Sequence, residues 1–143
     1  LADDAAIKTE LAALLVKESP TKAYSVNVHS FRGHVFLIGE ADKNFRAFAE
    51  KAANNTKSVR KVTTHWFASG ISRAVNDTKL EAAIDSKLLF SRNVRSTQVI
   101  VDVWGGNVVL TGIMGSQADI NRALEAVRSV SGVKSVTSYL EVI

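Results

Sequence analysis

The densest set of chemically able side chains in this sequence is the run Lys87-Leu88-Leu89-Phe90-Ser91-Arg92-Asn93-Val94-Arg95. It holds three cations and no acid, and no acid follows before Asp102. Cations beside exposed apolar groups suit an anionic bilayer surface, where charge draws the protein in and apolar burial holds it. Leu80, Ile84 and Leu88 recur at helical spacing and read as a core stripe, which leaves Leu89 and Phe90 for a different face. Lys79 sits two turns before Lys87, on the same side, and extends the basic group. The candidate lipid-binding residues are therefore Lys79, Lys87, Leu89, Phe90, Arg92 and Arg95. At about 1 kcal/mol for each basic residue near an anionic surface, such a segment binds only reversibly. The competing reading is that Leu89 or Phe90 plugs a core and the cations are simply solvated.

Other chemistry finds less support. Lys57, Arg60 and Lys61 form a second basic group, but no nucleic-acid motif accompanies it, and an ordinary loop-to-strand surface explains it. His29, His34 and His65 are the three histidines. His29 and His34 flank one expected turn, yet no third ligand stands at zinc spacing, so they read as surface residues and no metal is expected. There is no Gly-x-Ser-x-Gly elbow and no glycine-rich phosphate loop. Asp102 and Glu141 read as solvent-facing strand residues, and no catalytic residue or cofactor is expected. Trp66, Phe67 and Trp104 read as packing residues.

The composition is that of a soluble globular chain and not of a disordered one. The chain has 143 residues, 46% of them hydrophobic and 22% charged, with a net charge of +4. A mild basic excess favours anionic partners. No apolar run approaches the ~20 residues that cross a bilayer. The absence of cysteine excludes disulfides and thiolate metal sites. A start at Leu1 leads to the expectation of a processed chain whose targeting segment has been removed.

The elements that must position these residues come in two copies. A shift of 73 places Asp4 on Asp77, Leu15 on Leu88, Val26 on Val99 and Val28 on Val101. It also places Gly33 on Gly106, Val35 on Val108, Leu37 on Leu110 and Gly39 on Gly112. A shift of 74 places Val59 on Val133, Val62 on Val136 and Thr63 on Thr137. Valine, leucine and glycine are the types a shared backbone requires. The copies are expected at residues 3–67 and 76–143, with 68–75 as a linker.

Each copy reads helix–strand–strand–helix–strand. The first helix carries Ile7, Leu11, Leu14 and Leu15, with Asp3 and Asp4 at its start to satisfy free N–H groups. Its counterpart has a capping box at Thr78 and Glu81. A valine-rich hairpin follows, turning at Arg32-Gly33 or Gly105-Gly106 and returning over 35–39 or 108–112. The second helix runs from about Lys43 to Asn54, and its counterpart is opened by Ser116 and Asp119. Closing strands are expected over 59–67 and 133–142. The fold class is α+β, each module having a three-stranded mixed sheet with both helices on one face.

This pattern resembles the BON-domain family. The resemblance rests on Val99-Ile100-Val101-Asp102-Val103, Gly106-Asn107-Val108-Val109-Leu110-Thr111-Gly112 and Val130-Ser131-Gly132-Val133-Lys134-Ser135-Val136. The first copy keeps Gly33, Val35, Leu37 and Gly39 but has Ser58 where the second has Gly132. The resemblance covers nearly the whole chain. It implies no catalysis, binding of anionic phospholipid through the second module's first helix, and support of outer-membrane integrity. It also implies a bacterial periplasmic location, attached to the outer membrane through a removed N-terminal lipid anchor. Where related members place an aromatic after the Asn-Asp-Thr run, this chain has Lys79. The alternative is a periplasmic protein-interaction or chaperone-like stress factor that contacts envelope proteins without binding lipid.

Overall fold

The computed structural model describes residues 2–68, 75–91 and 98–143. It divides into two compact units, Leu1–Ile71 and Ser72–Ile143. The first contains α1 (Ala2–Glu18), α2 (Pro20–Ala23), β1 (Val26–Phe31), β2 (His34–Gly39), α3 (Lys43–Asn55) and β3 (Lys61–Trp66). The second contains α4 (Val75–Ser91), β4 (Gln98–Trp104), β5 (Asn107–Met114), α5 (Gln117–Arg128) and β6 (Ser135–Val142). Of the expected linker, Ala68 is exposed, 69–74 lie outside the described residues, and Val75 already opens α4.

Each sheet is mixed, as the repeat predicts. The order is β1-β2-β3 in one unit and β4-β5-β6 in the other. The hairpins pair antiparallel, Val28 opposite Leu37 and Val101 opposite Leu110. The closing strands pair parallel, Val35 beside Val62 and Val108 beside Val136. In the first unit Ile7, Leu11 and Leu15 of α1 meet Phe45, Ala49 and Ala53 of α3 over Val26, Val28, Val35 and Leu37. Both helices thus cover one face. In the second unit Leu80, Ile84 and Val127 do the same over Val101, Val103, Val108 and Leu110. Leu14 leaves this stripe and is exposed. The four-residue α2 is too short for periodicity to announce, and Ser19 caps it by accepting from the Lys22 N–H.

Two glycine positions fix the hairpin. At the turn, Arg32 and Gly33 have φ of 56° and 83°, and Gly105 and Gly106 repeat those values. Positive φ at both central residues is the turn that matches strand twist. At the far end Gly39 and Gly112 lie against the opposing strand. A Cβ there would sit 2.0 Å from the Ser25 carbonyl oxygen or 1.8 Å from that of Gln98.

The acids at the helix starts have a different task from the one expected. Asp4 does not serve its own helix. Its carboxylate accepts from Ser30 Oγ at 2.7 Å, the Arg32 N–H at 2.7 Å and the Gly33 N–H at 2.9 Å. Asp77 accepts from the Gly105 N–H at 2.7 Å and the Gly106 N–H at 2.9 Å. A tight hairpin turn leaves those N–H groups pointing outward, and a carboxylate satisfies two at once. From the other side the turn carbonyl of Gly33 accepts the Arg60 N–H at 2.8 Å, and that of Gly106 accepts the Lys134 N–H at 2.9 Å. First helix, hairpin and final loop are thereby tied together in each unit. Thr78 stands inside α4, which begins at Val75, so the expected Thr78–Glu81 capping box is not at a helix end. The Ser116 cap is present, its hydroxyl accepting from the Asp119 N–H at 3.1 Å.

Candidate functional site

The basic surface of the second unit is built on α4. Leu80 and Ile84 are buried, and Leu88 packs partly buried against the same core. This anchors one side of the helix and turns the rest outward. Lys79 and Lys87 are exposed, and Leu89 is 60% exposed. Phe90 belongs to α4, while Arg92 and Arg95 lie outside the described residues. At about 100° per residue, Lys87 and Leu89 stand about 80° to either side of Lys79. Lys79 therefore lies between the other two, and the three side chains share the outer surface of α4.

Lys79 borders a cleft of about 550 Å³, walled by Asn76, Lys79, Leu80 and Ala83 of α4, by the Gly105-Gly106 turn, and by Ser131, Gly132 and Lys134. Asp77 also faces it, with its carboxylate engaged by the two turn N–H groups. Lys134 lays its stem over the turn, Cγ and Cδ each 3.0 Å from where a Gly106 Cβ would be. Among the described residues neither Lys79 nor Lys134 has an ion pair. Ser131 and Lys134 were not among the candidates read from sequence. The signal that points to them is the repeat, which sets Lys134 on Arg60 beside the matching glycine turn.

The second basic group is structural in part. Arg60 donates from Nε and Nη2 to the Arg32 carbonyl oxygen at 2.9 and 2.7 Å. Lys57 and Lys61 are exposed.

The histidine reading needs correction. His29 and His34 are buried, not surface residues. His34 Nε2 lies 2.6 Å from Thr63 Oγ1, and its ring stacks on Phe36 with centroids 4.1 Å apart. A polar ring is buried where a partner receives its nitrogen. Asp102 is likewise buried, against the expectation of a solvent-facing carboxylate. Among the described residues no group of histidines and acids could hold a metal ion. No described helix is long and apolar enough to cross a membrane.

Two acids differ in environment. Burial works to raise the Asp4 carboxyl, but the bonds from Gly33, Ser30 and Arg32 together outweigh it and hold it below the usual range. Asp85, on α4, is raised by burial alone.

Comparison with known proteins agrees with this architecture. The BON domain model matches residues 3–65 and again 76–143. Osmotically-inducible protein Y of Escherichia coli is 31% identical over 147 residues, spanning 97% of this chain and 72% of that protein. A 21 kDa hemolysin of Actinobacillus pleuropneumoniae is 31% identical, spanning 96% of this chain and 73% of its own. The outer membrane lipoprotein DolP of Haemophilus influenzae is 27% identical, spanning 94% of this chain and 72% of its own. With two family matches that fall on the two structural units and cover most of the sequence, the chain belongs to the BON-domain family.

Proposed function

We propose that the protein is a non-enzymatic cell-envelope protein that binds anionic phospholipid through α4 of its second module and supports outer-membrane integrity. The carrying observation is the outer surface of α4, where Lys79 and Lys87, neither in an ion pair among the described residues, stand exposed with a 60% exposed Leu89. Lys79 and Lys87 together contribute about 2 kcal/mol near an anionic surface. Burial of Leu89 in the headgroup region adds about 1–2 kcal/mol. The sum gives reversible, salt-sensitive attachment, which Arg92 and Arg95 from the same basic run would strengthen. Family membership and the likeness to an outer membrane lipoprotein support a place in the envelope. They also favour a periplasmic location with an N-terminal lipid anchor.

Flotation with phosphatidylglycerol vesicles against neutral phosphatidylcholine vesicles tests the binding. Enrichment on the anionic vesicles that declines with added salt is the expected result, and equal absence from both ends the lipid reading. Incorporation of labelled palmitate by the native gene product tests the anchor, and detergent sensitivity of a deletion strain tests the integrity role.

A second reading has its own observation. Leu14, Val16 and Tyr24 of the first module are exposed, Tyr24 at 88%. They favour a protein-binding or chaperone-like stress factor. A stoichiometric envelope partner captured without lipid, and lost on Tyr24→Ser, would favour it.

A further inference from the structure

We infer that the outer edge of β3, with the cleft between β3 and α3, is a docking site for an extended peptide that adds a strand to the first module's sheet and sets an acidic side chain against Lys43 and Arg46. Nothing in this rests on α4 or on lipid. β3 ends its sheet, and among the described residues no strand pairs with its outer side. β2 is buried throughout, whereas β3 is exposed at Lys61 and half-buried from Val62 to Trp66. The Lys61 and Phe67 N–H groups donate to the Gly33 and Gly39 carbonyls at 3.4 and 2.8 Å, at the two ends of the pairing with β2. Backbone groups alternate in direction along a strand, so those of Val62, Thr64 and Trp66 point to the open side. An unpaired row of this kind selects one conformation in its ligand, an extended chain.

Side chains beside the edge add chemical selectivity. Thr64 and Trp66 share a cleft of about 570 Å³ with Asp42 and with Lys43, Arg46 and Glu50 of α3. The Arg46 guanidinium is held over the Trp66 ring, 5.6 Å from its centroid. Its Nε donates to the Ala41 carbonyl at 2.7 Å and its Nη2 to that of Phe67 at 3.3 Å. Neither Arg46 nor Lys43 has an ion pair among the described residues. Asp42 is spent on Lys22, 2.8 Å away, and on the Phe45 N–H. Trp66 adds an indole N–H that is buried without an acceptor among the described residues. A pinned guanidinium with a lysine beside it suits a carboxylate carried on the peptide. Glu50, one turn beyond Arg46, suits a basic residue further along the same peptide. The second module seals the same place. A shift of 74 puts Ile120 on Arg46 and Leu140 on Trp66. Ile120 is buried with Met114 and Ala123, and Leu140 packs on that cluster.

The probe is a phage library of random peptides long enough for one strand, about ten residues, selected against the full chain without lipid. Enriched peptides are expected to carry an acid within a run of β-branched residues, and to shift the amides of Thr64 and Trp66. Methylating alternate peptide nitrogens tests the pairing from the ligand side, so the result does not hang on the folding of a variant. One register of methylation should weaken binding about tenfold or more, and the other less than about twofold. Lys43→Glu, at the exposed start of α3, should weaken it about fivefold, and the same reversal at exposed Lys17 of α1 less than about twofold. No enrichment, equal binding by both methylated registers, equal losses for the two lysine variants, or shifts confined to other strands would each overturn the proposal. Sedimentation of the chain alone examines the rival occupant. A dimer that Thr64→Pro dissolves would seat a second copy on this edge in the peptide's place.

Discussion

In the first module Arg60 folds its guanidinium onto the Arg32 carbonyl, whereas in the second Lys134 crosses Gly106 and has no ion pair among the described residues. Both side chains leave the same point, just after a backbone N–H that binds the turn glycine carbonyl. The carboxylates on the far side, Asp4 and Asp77, also hold matching turns. What differs is the decoration: an arginine committed to the turn carbonyl in one module, and in the other a lysine with no ion pair among the described residues. A duplicated frame lets the surface charge of its two copies diverge, because the bonds that hold the frame are not those that face solvent. Each unit also has its own tryptophan, Trp66 or Trp104. Trp66→Phe leaves the second module reporting its own unfolding, and Trp104→Phe leaves the first.

The largest effect should come where the frames are most alike. Gly112→Ala would set a methyl group 1.8 Å from the Gln98 carbonyl oxygen, and Gly39→Ala one 2.0 Å from that of Ser25. Backbone atoms on both sides leave no flexible neighbour to yield, so each substitution should cost about 3 kcal/mol in its own module. Urea unfolding of the single-tryptophan variants checks this. A cost in one module only would break the claim that the two hairpins are equivalent.

The carboxylate ties come next and should separate the modules. Asp77→Ala strands two turn N–H groups, one on a buried glycine, and should cost about 2–3 kcal/mol. Asp4→Ala removes three bonds at a more solvated place and should cost about 1–2 kcal/mol. Asp4 also gives the first module a pH signature. Its folded carboxyl titrates below the ordinary value, so its stabilisation is complete above the unfolded pKa of about 3.9 and is lost as pH falls through the folded one. The Trp66-reported midpoint should therefore fall on acidification below about pH 4, and fall less in Asp4→Ala. An identical acid slope in the two would show that Asp4 is not the group responsible.

The frame was legible in the sequence and much of the site was not, for one physical reason. Valine alternation, helical stripes and turn glycines are local, and the 73-residue shift doubles each of them. The ties between elements are non-local. The match of Asp4 with Asp77 was visible, but an acid next to a helix start invites a capping role, and only the fold shows it reaching the turn 29 residues on. Lys134 lies far along the chain from Lys79, and the parallel pairing of β6 with β5 is what returns it to the cleft. His29, His34 and Asp102 were read as exposed because they are polar, yet His34 lies on β2, buried along its whole length, and His29 and Asp102 occupy buried positions of β1 and β4. Lys79, Lys87 and Leu89 are exposed beside the buried Leu80–Ile84 stripe, as helical spacing alone implies.

The smallest effect concerns the loop that carries the cations. The second module turns at Gly132, φ 99°, and the first makes the same turn with Ser58 at φ 74°. A left-handed conformation costs a side-chain-bearing residue about 1–2 kcal/mol, and glycine avoids most of it at some entropic expense. Ser58→Gly should therefore stabilise the first module by about 0.5–1 kcal/mol, and Gly132→Ser should destabilise the second by a similar amount. The pair is informative because space is not limiting at Gly132, where a Cβ would lie 3.7 Å from Leu80 Cδ1. Steric exclusion thus drops out, and backbone conformation alone sets the sign. Opposite signs of nearly equal size would show that both modules hold this loop in one conformation, and that their difference in charge was placed on a common backbone. Destabilisation by both changes would mean that Ser58 earns its place through its side chain, and the two loops would no longer be equivalent.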